Sequence, residues 1–191
     1  MTEHSARGYI LAATVGYLRE NAGADRTTQI IAGLSPQLQQ AINTVAPATW
    51  YSVTLVSELN RAIVAELAGT DEARAREVME GCGRYIGHEA SNTFLRLFMR
   101  MLTPSLFAKK LPDIWKRDFT GGRLDIDVTE GKMIFRIFDS QGHDHIGPIA
   151  SGWIGFALKA MGKSLEKVTL QHWSLAEPNQ NGVTIEYLWK T

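Results

Sequence analysis

The chain has 191 residues, and its 20 Lys and Arg balance 20 Asp and Glu to a formal net charge of zero. That balance excludes the basic excess of a general nucleic-acid binder, while 45% hydrophobic residues and five Trp exclude intrinsic disorder. The one cysteine, Cys82, excludes an intramolecular disulfide framework and a cysteine-rich zinc module. No stretch approaches the roughly 20 uninterrupted apolar residues of a membrane span. The start, Met1 to Arg7, has no apolar run behind a basic segment, so a cytoplasmic globular protein is expected.

The first part reads as helical. Ile10, Leu11, Val15 and Leu18 fall on one face at helical spacing and predict a helix over about 8–21, ended by Asn21-Ala22-Gly23. A short helix near 26–33 follows, and Ser35 before Pro36 reads as an N-cap with proline at the first helical position. Residues 45–50, with Pro47, read as a loop. Ser52 or Thr54 then starts a helix carrying Leu55, Leu59, Ile63 and Leu67 on one face and stopped at Gly69. Asp71 is a further N-cap, and the helix formers from Glu72 to Tyr85 are expected to be broken by Gly81 and Gly83. Thr93 to Leu102 is apolar nearly all round, with Arg96 and Arg100 interrupting, which predicts a buried central helix. Thr103-Pro104 opens the next helix, running to about Lys116.

After Gly122 the hydrophobic period changes to two. Leu124, Ile126 and Val128 alternate with Arg123, Asp125 and Asp127, as in a strand with one wet face. Glu130-Gly131 is a turn, and Met133 to Phe138 is the returning strand, apolar on both faces and so expected inside the sheet. Gln141 to Pro148 reads as a loop and Ile149 to Met161 as a helix, with Gly152 and Gly155 permitting close approach. Val168–His172 and Val183–Trp189 make a second hairpin. Helices followed by ββαββ predict one α+β domain over 1–191, with residues 1–49 a candidate helical appendage and about four antiparallel strands.

The run Arg96…Thr103-Pro104…Leu111-Pro112…Trp115…Gly122-Arg123-Leu124, then Gly152-Trp153…Gly162 and His172…Gly182…Trp189, resembles an uncharacterised bacterial family related to the 4-vinyl-reductase-like domain. More distantly it is similar to the superfamily shared with haem nitric-oxide-binding domains and TRAPP vesicle-tethering subunits. The resemblance covers most of residues 50–191 and implies a largely non-enzymatic domain that encloses a small or lipidic ligand between helices and sheet. It also implies dimerisation through the N-terminal helices. Two departures stand out. Sensor domains of this type carry zinc-holding cysteines in the last hairpin, where this chain reads His172-Trp173-Ser174…Asn181-Gly182-Val183. The haem-binding branch uses a Tyr-x-Ser-x-Arg motif and an axial histidine, and the nearest text here is Tyr51-Ser52. Zinc and haem are both disfavoured on this reading, and no cofactor is expected.

Several polar groups invite a chemical role. His143-Asp144-His145, with His88 or His172, offers metal-ligand types, but two histidines in a Gly-bounded loop read as exposed polar residues or as a pH-responsive or ligand-contacting loop. Cys82 lacks a base and an oxyanion site and reads as a small buried residue. Asp125 and Asp127 read as a solvated strand face, and neither Gly121-Gly122 nor Gly81-x-Gly83 has the setting of a phosphate loop. The aromatic and methionine set is either packed core or a pocket wall. With the resemblance, it becomes a ligand site of Phe98, Met101, Trp115, Phe135, His145, Trp153 and Phe156, in which His145, Arg96 or the Trp115 indole N–H orients the ligand. The expected function is a non-catalytic sensor or regulatory domain that holds an apolar or aromatic small molecule and signals to a partner protein or across a homodimer. A second possibility is an oligomeric scaffold with a filled core, joined through Val15 and Leu18. A third is an enzyme using His143, His145 and His172.

Overall fold

The structure is a computed structural model, and it describes residues 4–91, 99–178 and 182–190. Among the described residues, seven helices and six strands form an α+β fold. The helical half contains α1 (Gly8–Ala22), α2 (Ala24–Ala32), α3 (Pro36–Asn43), α4 (Val53–Leu67) and α5 (Glu72–Ala90). Three of these helices, α3, α4 and α5, start at a side-chain cap. Ser35 Oγ accepts from the Leu38 N–H, Ser52 Oγ from Thr54 and the Asp71 carboxylate from Arg74, each satisfying an amide that has no partner in the first turn. Two three-residue strands, β1 (Ser5–Arg7) and β2 (Trp50–Ser52), pair antiparallel ahead of α1 and α4. The sequence reading had residues 45–50 as loop and no strand there, because pairs this short carry no periodicity.

The second half begins with α6 (Pro104–Asp118), capped by Thr103, whose hydroxyl accepts from Leu106. Strands β3 (Arg123–Thr129), β4 (Lys132–Phe138), β5 (Leu165–Gln171) and β6 (Val183–Trp189) form one antiparallel sheet in the order β3-β4-β6-β5. β4 is interior as expected, with Met133, Phe135 and Ile137 buried on one face and Ile134, Arg136 and Phe138 half-buried on the other. α7 (Ile146–Ala160) crosses the sheet. It starts three residues before the expected Ile149, since Pro148 lies in the first turn, where an amide has no intrahelical partner to lose. Of the expected central helix Thr93–Leu102, residues 93–98 lie outside the described residues. Met99 is buried, but Met101 is 81% exposed, so the apolar run is not buried on every side.

Two hydrophobic clusters result, one formed by β1, α1, α3, α4 and α5 and the other by α6, the sheet and α7. They meet where α5 and α7 cross. A Cβ on Gly83 would lie 1.9 Å from the Ile149 carbonyl oxygen, and one on Gly152 would lie 1.9 Å from that of Glu80. The two helix backbones therefore touch. Gly81 and Gly83 do not break α5, which runs unbroken to Ala90, because Gly83 is the notch that seats α7. Gly155, by contrast, faces nothing closer than 3.8 Å. Leu18 is fully buried in its own chain's first cluster, so it is no free face for a second copy.

Candidate ligand site in the seam between the layers

The seam between the two clusters holds an enclosed cavity of about 60 Å³. Its walls come from five elements: Tyr9 and Ile10 of α1, Ile86 of α5, Leu111, Ile114 and Trp115 of α6, Phe135 of β4, and Ile149 and Trp153 of α7. A second cavity of about 370 Å³ shares Tyr9, Ile114 and Trp153 and adds Met99, Leu106, Phe107 and Phe156. Phe107 stacks on Trp153 with ring centroids 6.1 Å apart, and Trp115 lies 4.5 Å from Phe119. Aromatic walls with a few polar groups are the usual make-up of a small-molecule pocket.

The polar groups converge at one end of α6. Arg117 donates from Nε and one Nη to the two oxygens of Asp118, both at 2.8 Å, and Asp118 is buried. Burial first, then the charge of the nearby Asp118, pushes the pKa of the Tyr9 phenol well up, so it stays a hydroxyl. Tyr9 also borders an open surface groove with Arg7, Arg117 and Asp118. Among the described residues it is the one common to the groove and both cavities. Sequence reasoning missed it: a tyrosine at the second position of a helix carries no local signal, and Asp118 sits two positions beyond the expected helix end.

The expected site residues divide. Trp115, Phe135 and Trp153 line the enclosed cavity, and Trp153 and Phe156 the larger one. Phe98 lies outside the described residues, as does Arg96. Met101 points into solvent and lines neither cavity. The Trp115 indole N–H is engaged within the protein, donating to the Gly121 carbonyl at 2.7 Å, so it is not available to orient a ligand.

His145 also departs from expectation. Both His143 and His145 are buried, at 4% and 1% exposure, where the loop reading had them in solvent. The cause is non-local. The loop before α7 latches onto α4: Asp144 N–H donates to Ser57 Oγ at 2.9 Å, Ser57 donates to the Gly142 carbonyl, and Arg61 pairs with Asp144. His145 adopts left-handed backbone at the start of α7, its ring beside Trp173 and away from both seam cavities. Burial pushes the pKa of each imidazole down to about 4. No group of three or more metal-ligating side chains occurs among the described residues. Cys82 is fully buried, and burial pushes its thiol up to about 12. Asp125 and Asp127 both pair with Arg136 across the strand.

The sequence matches no protein-family model and no curated protein. Solved structures do match along almost the whole chain. An H-NOX protein from S. oneidensis in an Fe(II)NO state superposes with a TM-score of 0.69 at 9% identity, over 97% of this chain and 99% of that one. The Fe(II) unliganded H-NOX protein from K. algicida gives 0.68 at 11% identity over 97% of both. An oxygen-binding H-NOX domain related to soluble guanylate cyclases gives 0.64 at 13% identity, over 97% of this chain and 95% of that one. This chain has the H-NOX fold. Among its described residues, no helix is long and apolar enough to cross a membrane.

The H-NOX fold corrects one expectation. Haem was set aside because a short motif is missing, yet the structures that share this fold include Fe(II) proteins and one solved in work on haem redox potential and porphyrin distortion. A missing motif in a chain about a tenth identical to them is no ground for setting it aside. The apolar and aromatic seam walls suit a flat apolar group, and Lys110 on the larger cavity suits a carboxylate. Among the described lining residues the donors of axial-ligand type are the Tyr9 phenol and the Met99 thioether. His88 stands just outside, its ring 6.4 Å from Phe156.

Proposed function

We propose that this chain is a small-molecule-binding sensor or regulatory domain whose ligand lies in the seam between the helical layer and the sheet. The observation that carries this reading is the pair of adjoining cavities placed where five elements from both layers meet, in a fold whose solved examples include nitric-oxide- and oxygen-bound proteins. The ligand class is a largely apolar molecule, and haem is the first member to test. Affinity comes mainly from apolar surface removed from water, at about 25 cal/mol per Å² before ordering costs. Sensing further requires that the ligand prefer one arrangement of the two layers, which a partner protein or a second copy in a homodimer reads out. The finer resemblance, to a bacterial 4-vinyl-reductase-like branch, fits this reading. One observation favours the alternative of an oligomeric scaffold with a filled core: the enclosed cavity alone, at about 60 Å³, is small.

The test is titration of the purified protein with hemin, followed by absorbance, and with the neutral dye Nile red, followed by fluorescence. Saturable one-to-one binding of either is expected, and Ala90→Trp should abolish it. Ala90 is exposed at the end of α5 and lines the larger cavity, so an indole there takes up space that the ligand needs. No saturable binding of either probe would favour the scaffold.

A further inference from the structure

The larger seam cavity is apolar in its walls and of one sign in its charge. Its charged lining side chains among the described residues are Lys110 and Arg117 alone. Both lie on α6, seven residues apart, which places them two turns or about 10.5 Å apart along the helix axis. No carboxylate joins them: Asp118 borders the enclosed cavity and the groove, and Glu89 only the groove. Arg117 is already bound by Asp118 through Nε and one Nη. Lys110 is exposed and forms an ion pair with no described carboxylate. It lines the cavity together with Leu106, Phe107 and Ile114 of the same helix.

We propose that this cavity takes an apolar carboxylate, such as a medium-chain fatty acid, with its tail against Phe107, Trp153 and Phe156 and its carboxylate paired to Lys110. The proposal rests on the seam reading above and adds the charge of the ligand to it. Apolar burial supplies affinity for any amphiphile of the right length. Lys110 supplies the discrimination, since a charge-assisted bond rewards the carboxylate and like charge rejects a cationic head group.

Isothermal titration calorimetry with decanoate and decanol tests this on the wild type, Lys110→Glu and Lys109→Glu. Lys109 is exposed on the same helix and lines neither seam cavity, so its reversal controls for net charge. Decanoate should bind about tenfold tighter than decanol to the wild type and to Lys109→Glu, and the preference should vanish in Lys110→Glu while decanol is unaffected. Arg117 is unsuited to such a test, because removing it leaves the buried Asp118 carboxylate unpaired. Equal binding of the two probes, or an equal effect of the two reversals, overturns the carboxylate pairing and leaves the seam reading intact. Binding of neither, together with failure of hemin and Nile red, overturns both.

Discussion

Replacing Gly152 with alanine probes the contact on which the whole two-layer arrangement depends. The new Cβ would lie 1.9 Å from the Glu80 carbonyl oxygen, 2.7 Å from its carbon and 2.9 Å from its Cα. Real Cβ atoms do not come within 3.0 Å of such atoms, so α5 and α7 must part by roughly 1 Å. No rotamer change relieves a clash with backbone, which puts the cost near the upper end of the about 1–3 kcal/mol seen for overpacking. Alanine is better than glycine inside a helix by about 1 kcal/mol, leaving a net loss of about 2 kcal/mol. Gly155→Ala, one turn further along the same helix, is the matched control. Its Cβ would meet only Leu165 Cδ1 at 3.8 Å and Tyr187 Cε1 at 3.9 Å, ordinary van der Waals contacts. There the propensity gain stands alone, so about 1 kcal/mol of stabilisation is expected. Urea unfolding should place the two variants on opposite sides of the wild type. In thermal melts Gly152→Ala should fall by about 4–8 °C for a chain of this size. Equal stability of the two variants would refute the close crossing.

Other perturbations follow from burial. His143 and His145 have folded pKa values pushed down to about 4, against about 6.5 unfolded. The unfolded chain therefore binds more protons, and stability should fall as pH drops from 6.5 to 4, by at most about 3 kcal/mol for each imidazole. Urea midpoints at pH 7.5 and 4.5 measure this, and His143→Leu should lose less than the wild type. Cys82 should be silent toward a thiol-titrating reagent in the native protein and give one equivalent in guanidinium, since burial holds it as a thiol. Leu18→Asp should unfold the chain, with a loss above about 4 kcal/mol, because Leu18 is wholly inside. Circular dichroism showing a folded, merely dissociated protein would contradict that placement.

What the sequence made legible was what neighbouring residues decide. The caps Ser35, Ser52, Asp71 and Thr103 act on amides two or three residues away, and all four start helices where expected. The period-two run of β3 and the two-sided apolar character of β4 follow from local pleating, and they place β4 inside the sheet. The misreadings share a different cause. His143 and His145 are buried by contacts to α4 some 85 residues earlier, which no local pattern encodes. Gly83 looks like a breaker until the Ile149 carbonyl is seen against it. Trp115, Phe135, Trp153 and Phe156, singled out by residue type together with the resemblance, line the seam cavities. Tyr9 and the Asp118–Arg117 pair were not singled out, because their roles arise only when α1 and α6 come together.

A crystal structure of the chain grown with hemin or decanoate, whichever binds tighter, tests the central claim most directly. The account predicts ligand density bounded by Tyr9, Ile114 and Trp153, the residues that both seam cavities share. Density elsewhere on the molecule, with those three side chains closed against one another, would contradict it.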